Sequence, residues 1–416
     1  MNRIAVIGAG ISGLSVAHLL KEKGYSVTIY ERSDKPGGLI KCSTEKSGLF
    51  HRVGGHVFNS KNQFVLDWFF SFFDKEKEFL KSSRNSQILY ENRKIGYPIE
   101  NYLYQFDSNT IDKITSELLS LRHLPTDKYS DFESFLKNNF GETLYQMYFG
   151  PYNSKIWNTD LKEVPLDWLD GKLPMPNLKE IFLSNIQRNK ESEMVHSTFF
   201  YPQKGGSSFI AERLAEGLEI KYNTNVKKIS YTGEKWNLNN QLYDFVVFTG
   251  DIRTLADLLL IDRHSWKIKN ILDTEDFQSN GTTTVFCETD DTDLSWLYIP
   301  EKDKEAHRII YTGNFSPNNN TARKTCTVEF SGIVNQETIE KNLSKLPGNL
   351  IPIARNIEAN SYVIQGFNTR KIVNSIKNEL QASGFFLLGR FAEWEYYNMD
   401  KAIEAAMLLS DNFERK

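Results

Sequence analysis

Gly8-Ala9-Gly10-Ile11-Ser12-Gly13 follows directly on the apolar run Ile4–Ile7 and leads into a segment with Leu14, Ala17, His18 and Leu20 at helical spacing. Glycines so placed between a strand and a helix bind phosphate. Gly8 makes the tight turn, Gly10 lets the backbone approach a pyrophosphate, and Gly13 lets the helix pack close to the strand. The helix N-terminus adds unpaired N–H groups and a partial positive charge, with Ser12 in its first turn. Glu31 ends the second apolar run about 20 residues on, where a carboxylate can accept hydrogen bonds from an adenosine ribose. Together these residues predict a dinucleotide site rather than an unliganded glycine turn.

The elements that must position this chemistry come from three separated lengths of a 416-residue chain, which is long enough for two or three domains. Residues 1–61 hold the glycine loop. Residues 201–264 re-enter at Tyr201-Pro-Gln-Lys-Gly205-Gly206, with a helix predicted over Phe209–Leu218, a strand over Ile220–Ile229, and a buried-strand run Phe245–Phe248. Residues 376–416 run from Phe385–Leu388 into Gly389-Arg390 and a helix predicted over Asp400–Leu409. The expected fold is therefore α/β: a Rossmann-like domain assembled from discontinuous segments, with an inserted, mainly helical domain over 62–200 and a β-rich substrate domain over 265–375.

A net charge of −3 gives no sign of a nucleic-acid or anionic-membrane partner. No run of about 20 apolar residues predicts a transmembrane helix. Cys42, Cys287 and Cys326 lack metal-ligand or disulfide spacing, so a reducing, cytoplasmic setting without a metal is expected.

The second glycine pair, Gly37-Gly38 before Leu39, and the Gly389 return favour FAD over NAD, by resemblance to glutathione-reductase-like and amine-oxidase-like flavoproteins. Without a Cys-x-x-Cys, disulfide reductase chemistry is not expected. Further segments resemble the UDP-galactopyranose mutases, especially their eukaryotic branch: Val53-Gly54-Gly55-His56-Val57-Phe58, Pro151-Tyr152-Asn153-Ser-Lys155-Ile-Trp157, Trp168-Leu169 with Pro176-Asn177, Trp296-Leu-Tyr298-Ile-Pro300, Asn314-Phe-Ser-Pro317, and Gly389-Arg390 through Met399-Asp400.

The resemblance implies non-redox catalysis in which reduced FAD attacks the anomeric carbon of a nucleotide sugar and expels UDP. The sugar then recloses on another hydroxyl and UDP recaptures it. It implies His56 beside the flavin, Arg308 and Lys172 as catalytic cations, and FAD contacts from Arg32, Gly54, Gly55, Val226, Arg390, Met399 and Asp400. Substrate contacts follow from Tyr97, Asn101, Tyr152, Asn153, Trp157, Tyr298, Tyr362 and Tyr396. An external flavin reductant and a place in cell-surface polysaccharide biosynthesis are implied too, while oligomeric state is left open.

Four positions depart from that pattern. Lys172 stands where an arginine is expected and loses the bidentate fork. Ile99 and Glu100 replace an aromatic and a glutamine of a uridine-binding stretch, and Glu395 replaces an arginine near the flavin. A protoporphyrinogen oxidase-like or amine oxidase-like FAD oxidase or desaturase, which would want an apolar tunnel, stays open as the rival. So does a non-catalytic FAD-retaining scaffold. A mutase wants a cationic slot, which Lys155, Lys172 and Arg308 would form.

Overall fold

The computed structural model describes residues 2–121, 129–166, 168–169, 177–189, 191, 198–259, 263–272 and 277–414. Arg3–Ile7 is the central strand of a five-stranded sheet ordered Phe385–Leu387, Phe245–Phe248, Arg3–Ile7, Ser26–Tyr30, Glu219–Lys221, with every pairing parallel. Ile4, Ala5 and Val6 are fully buried, which is why this strand reads as an unbroken apolar run rather than an alternating one. Ile220–Ile229 does not form the single strand expected. It gives Glu219–Lys221, then a break with Asn223 at φ 51°, then Ile229–Tyr231 in a separate three-stranded sheet. Asparagine tolerates that left-handed conformation, and it ends the strand.

The helix Ile11–Glu22 packs through Leu14, Ala17 and Leu20 into a core shared with Ile210 and Leu214 of Gly206–Ala215 and with Ala402, Ile403 and Ala406 of Met399–Ser410. Gly13 makes this possible, because a Cβ there would lie 2.0 Å from the Gly8 carbonyl oxygen.

The second sheet has seven strands, in the order Ile351–Val363, Ser279–Thr289, Lys324–Ser331, Ala306–Ile310, Trp296–Tyr298, Ser86–Tyr90, Arg93–Gly96. The stretch 62–200, read from sequence as mainly helical, thus supplies its last two strands; Ser86–Tyr90 joins Trp296–Tyr298 in parallel. The same stretch builds the helices Ser108–Ser120, Phe132–Leu144, Gly150–Trp157 and Leu178–Gln187 around an aromatic core. Asp107, Asp131 and Asn177 cap three of them by accepting first-turn N–H bonds.

Among the described residues no helix is long and apolar enough to cross a membrane, and no group of three or more His, Cys, Asp or Glu could hold a metal ion.

Candidate active site

The glycine loop and the C-terminal return meet at one edge of the parallel sheet. Gly389, at φ 97°, lies against Ser12: a Cβ there would come 2.6 Å from the Ser12 hydroxyl. Gly37 donates its N–H to the Ala9 carbonyl at 2.8 Å, and Gly38 packs so closely that a Cβ would lie 3.4 Å from the Gly10 Cα. Leu39 follows in the short turn Gly38–Ile40. A Cβ at Gly10, by contrast, meets nothing within 4 Å.

Neither the helix that begins after Gly10 nor the one led by Met399 and Asp400 has a side-chain cap. The N-cap residues Gly10 and Asn398 thus leave the starts of two long helices uncapped, a cradle that fits the anionic and carbonyl groups of a flavin dinucleotide. Glu31 also braces the loop, accepting from the N–H of Ala9 at 2.8 Å and from the N–H and hydroxyl of Ser33 at 2.9 and 2.6 Å. Arg32 is exposed and Val226 is buried.

The segment carrying His56 is tied to the seven-stranded sheet by a single carboxylate. Glu329, fully buried, accepts from the N–H of Gly54 at 2.5 Å through one oxygen and from Arg308 Nε at 2.5 Å through the other. Burial alone would raise its pKa, but Arg308, His307 and the Gly54 N–H outweigh that and hold the carboxyl well below its usual range. Gly55 is fixed by close packing, since a Cβ would lie 2.9 Å from Trp296 Nε1.

His56 is half-buried, and its Nε2, itself buried, has no partner among the described residues, an orphaned polar atom that suits a ligand beside it. Burial, then the neighbouring His51 and Arg390, bring its pKa down to about 3. His51 Nδ1 accepts from the His56 backbone N–H at 3.1 Å, so its neutral ring carries the proton on Nε2, 2.7 Å from the Tyr201 hydroxyl.

Arg308 and Tyr298 are direct partners across two antiparallel strands, so register puts them side by side. Arg308 Nη2 donates to the Tyr362 hydroxyl at 2.9 Å, and Tyr362 stacks on Tyr396 at 5.7 Å. Arg390 lies 4.7 Å over the Tyr396 ring and donates to the carbonyls of Ser361 and Tyr397. A 140 Å³ cavity beside this cluster is lined by Tyr97, Pro98, Glu100, Tyr148, Phe149, Tyr152, Asn153, Tyr298 and Arg308. Asn153 spends an amide proton on the Phe149 carbonyl, and Asn101 is buried in the turn that carries Glu100. Trp157 is buried against Trp168 at 4.6 Å and Tyr396 at 6.1 Å.

Of the expected cations, Lys172 lies outside the described residues, and Lys155 does not join this slot. Lys155 turns away from it and donates to the carbonyls of Ile299, Glu301 and Ala306 at 2.7, 2.7 and 3.2 Å. Burial pulls its ammonium down to about 7. Glu395 pairs with Arg370 at 2.9 Å.

Sequence reading missed Glu329, His51 and Arg84. Arg84 ion-pairs with Glu191 at 3.2 Å, lies 5.0 Å over the Tyr97 ring, and donates to the Tyr298 hydroxyl. The one available signal was Glu329 itself, a lone carboxylate between Val328 and Phe330 in a strand.

Its depressed pKa has a consequence for stability. The contribution of Glu329 is fully present above the unfolded carboxyl value of about 4.3 and is lost as pH falls through the folded value. The gap in unfolding temperature between the parent and Glu329→Gln is therefore expected to be widest near neutrality and to shrink as pH drops below about 4. A gap independent of pH in calorimetric scans would show that the carboxylate charge is not what Arg308 and Gly54 rely on.

The family model described as flavin-containing amine oxidoreductase matches residues 11–324. The UDP-galactopyranose mutase of Mycoplasma genitalium is 24% identical over 422 residues, covering 96% of this chain and 92% of that protein. A mitochondrial protoporphyrinogen oxidase of Nicotiana tabacum is 25% identical over 267 residues, covering 55% of this chain and 50% of the oxidase. Among solved structures, a reduced UDP-galactopyranose mutase superposes with a TM-score of 0.85 at 22% identity, covering 99% and 96% of the two chains. The chain belongs to the flavin-containing amine oxidoreductase family, with FAD as its cofactor and a likeness to UDP-galactopyranose mutases along nearly its whole length.

Proposed function

We propose that this protein is a nucleotide-sugar mutase that interconverts pyranose and furanose rings, with UDP-galactopyranose as the leading substrate. The observation that carries this reading is the Glu329 clamp, which fixes a guanidinium and the His56 loop through the two oxygens of one carboxylate. Reduced FAD, when bound, supplies the nucleophile for the anomeric carbon. The protein's own groups then have to manage a diphosphate that leaves and returns.

Arg308 spends Nε on Glu329 and Nη2 on Tyr362, which leaves further N–H donors for phosphate oxygens. The hydroxyls of Tyr298 and Tyr362 each accept from an arginine, so each can turn its own proton outward to the same oxygens. Donors held in place before the charge develops stabilise the departing group without reorganising. Neutral His56 adds no positive charge where the sugar cation would form. The family relationship to oxidases keeps an oxidoreductase in view, yet a site built on a half-buried arginine, paired carboxylate and phenol hydroxyls suits an anionic substrate better than an apolar one.

The test is anaerobic. Protein reduced with dithionite is incubated with UDP-galactopyranose and a panel of nucleotide sugars, and the products are separated chromatographically. An isomer of unchanged mass that forms only with reduced flavin is expected. If no sugar reacts or perturbs the flavin spectrum while apolar amines or tetrapyrroles reduce the oxidised flavin, the protein is an oxidase.

A further inference from the structure

The helix Gly150–Trp157 separates two cavities. Tyr152 and Asn153 line the 140 Å³ cavity beside Arg308, while Ser154, Lys155 and Asn158 line a second, of 600 Å³, on the helix's other face. The chain leading into this helix is irregular: Gly141 breaks Phe132–Leu144 at φ 85°, and Tyr145–Phe149 forms a wide π-turn. Its seat on the seven-stranded sheet therefore depends on packing and on side-chain ties. One tie is the Asn280 amide, which donates to the Ile156 carbonyl at 2.8 Å. A second is Lys155.

The Lys155 ammonium spends its three N–H groups on the carbonyls of Ile299, Glu301 and Ala306. Those carbonyls belong to the hairpin that joins Trp296–Tyr298 to Ala306–Ile310, the two strands on which Tyr298 and Arg308 are register partners. Ile299 adjoins Tyr298, and Ala306 precedes Arg308 by two residues. Asn342 anchors the same hairpin, its Oδ1 accepting from the N–H of Glu305 at 2.6 Å and of Ala306 at 3.2 Å.

We infer that Lys155 is a positioning residue of the substrate slot: it fastens the helix that carries Tyr152 and Asn153 to the hairpin that carries Tyr298 and Arg308, and so sets the spacing of the walls between which a nucleoside diphosphate binds. This rests on the nucleotide-sugar reading above and adds to it a residue that touches no substrate. The tether needs the ammonium form. A neutral amine keeps only two N–H groups and turns its lone pair on the third carbonyl.

Burial brings Lys155 down to about 7, against the pull of Glu301, Asp303 and Glu305 and with the help of Lys304. On the adjoining strand His307 is likewise lowered by burial, and Lys324–Ser331, packed against the same helix, contributes Glu329 beside it. Across the cavity stand Glu133, Lys137, Tyr145 and Lys302. Hydrogen bonding to Glu133 keeps Lys137 above its ordinary value, and burial does the same for the Tyr145 hydroxyl. On the substrate side of the helix burial raises Glu100 to about 7, so the decisive comparison is between proteins that share Glu100 and differ at Lys155.

UDP is titrated by calorimetry into the FAD-loaded parent and Lys155→Met from about pH 6.5 to 8.5, with flavin content and circular dichroism reporting the fold. At the acid end the variant should bind UDP about tenfold more weakly, a usual size for coupling between separate sites. The gap should narrow above about pH 7, where the parent loses its own tether. In buffers of different ionisation heat the parent should also take up more protons on binding UDP than the variant does, because a ligand that favours the tethered form tightens the hold of the lysine on its proton. Equal affinities at the acid end, or a gap that stays constant across the range, would overturn the assignment. If Lys155→Met does not fold, Lys155→Arg decides: its charge is permanent, so the ratio of parent to variant affinity should fall as pH rises, and a constant ratio would overturn the assignment equally. Failure of the parent to bind UDP at any pH would instead remove the nucleotide-sugar reading on which it stands.

Discussion

Gly10→Val is expected to purify as a folded protein that lacks the yellow absorbance of bound flavin. Most glycine substitutions in this loop would not allow so clean a result. A Cβ at Gly13 would collide with the Gly8 carbonyl at 2.0 Å, and Gly8, at φ 106°, holds a backbone conformation that valine rarely adopts. Those variants would lose the strand-to-helix packing itself. Gly10 has extended backbone at φ −78° and ψ 179°, and a Cβ there meets no atom within 4 Å. Valine is therefore accommodated by the polypeptide and intrudes only on whatever occupies the space beyond the loop. That space lies in front of a helix N-terminus without a side-chain cap, where a pyrophosphate would take up the first-turn N–H groups.

The measurement is the ratio of flavin to protein absorbance after purification, with circular dichroism as the check on folding. The expected flavin content is near zero with an unchanged far-ultraviolet spectrum. Stoichiometric flavin in a folded Gly10→Val protein would place the pyrophosphate elsewhere.

Why this half of the site is legible in sequence follows from its construction. Each part is a local strand–turn–helix unit: Ile4–Ile7 into Gly8, Phe245–Phe248 into Gly250, Phe385–Leu387 into Gly389. Glycines are required where backbones touch, and that requirement is written in consecutive residues. The substrate half is built from pairings between distant positions. Gly54 and Glu329 are 275 residues apart, and His51 meets Tyr201 across 150. Nothing near Glu329 announces its partner, because a buried carboxylate in a strand looks the same in sequence as an outward-facing one. Arg84 lies in a polar turn, Ser82 to Ser86, that reads as a surface loop. Lys155 misled for the complementary reason: its charge suggested the anion slot, whereas its ammonium is consumed by three backbone carbonyls.

The same clamp dictates how Arg308 must be tested. Arg308→Ala removes the guanidinium that neutralises Glu329, a carboxylate with no exposed surface. Breaking a buried pair on one side typically costs about 3–5 kcal/mol because a charge is left uncompensated. The single variant is therefore expected to unfold at markedly lower temperature, and its inactivity would say little about the diphosphate.

Arg308→Met combined with Glu329→Gln removes both charges together, and the glutamine amide can still accept from the Gly54 N–H. The double variant should recover much of the lost stability and retain FAD. Its affinity for the nucleotide sugar should remain weaker than the parent's by about 2 kcal/mol or more, the usual cost of losing a charged hydrogen bond in a buried site. Recovery of stability together with parental nucleotide-sugar affinity would show that Arg308 serves only to neutralise Glu329, and the diphosphate would then have to be held by the tyrosine hydroxyls and by cations elsewhere in the chain.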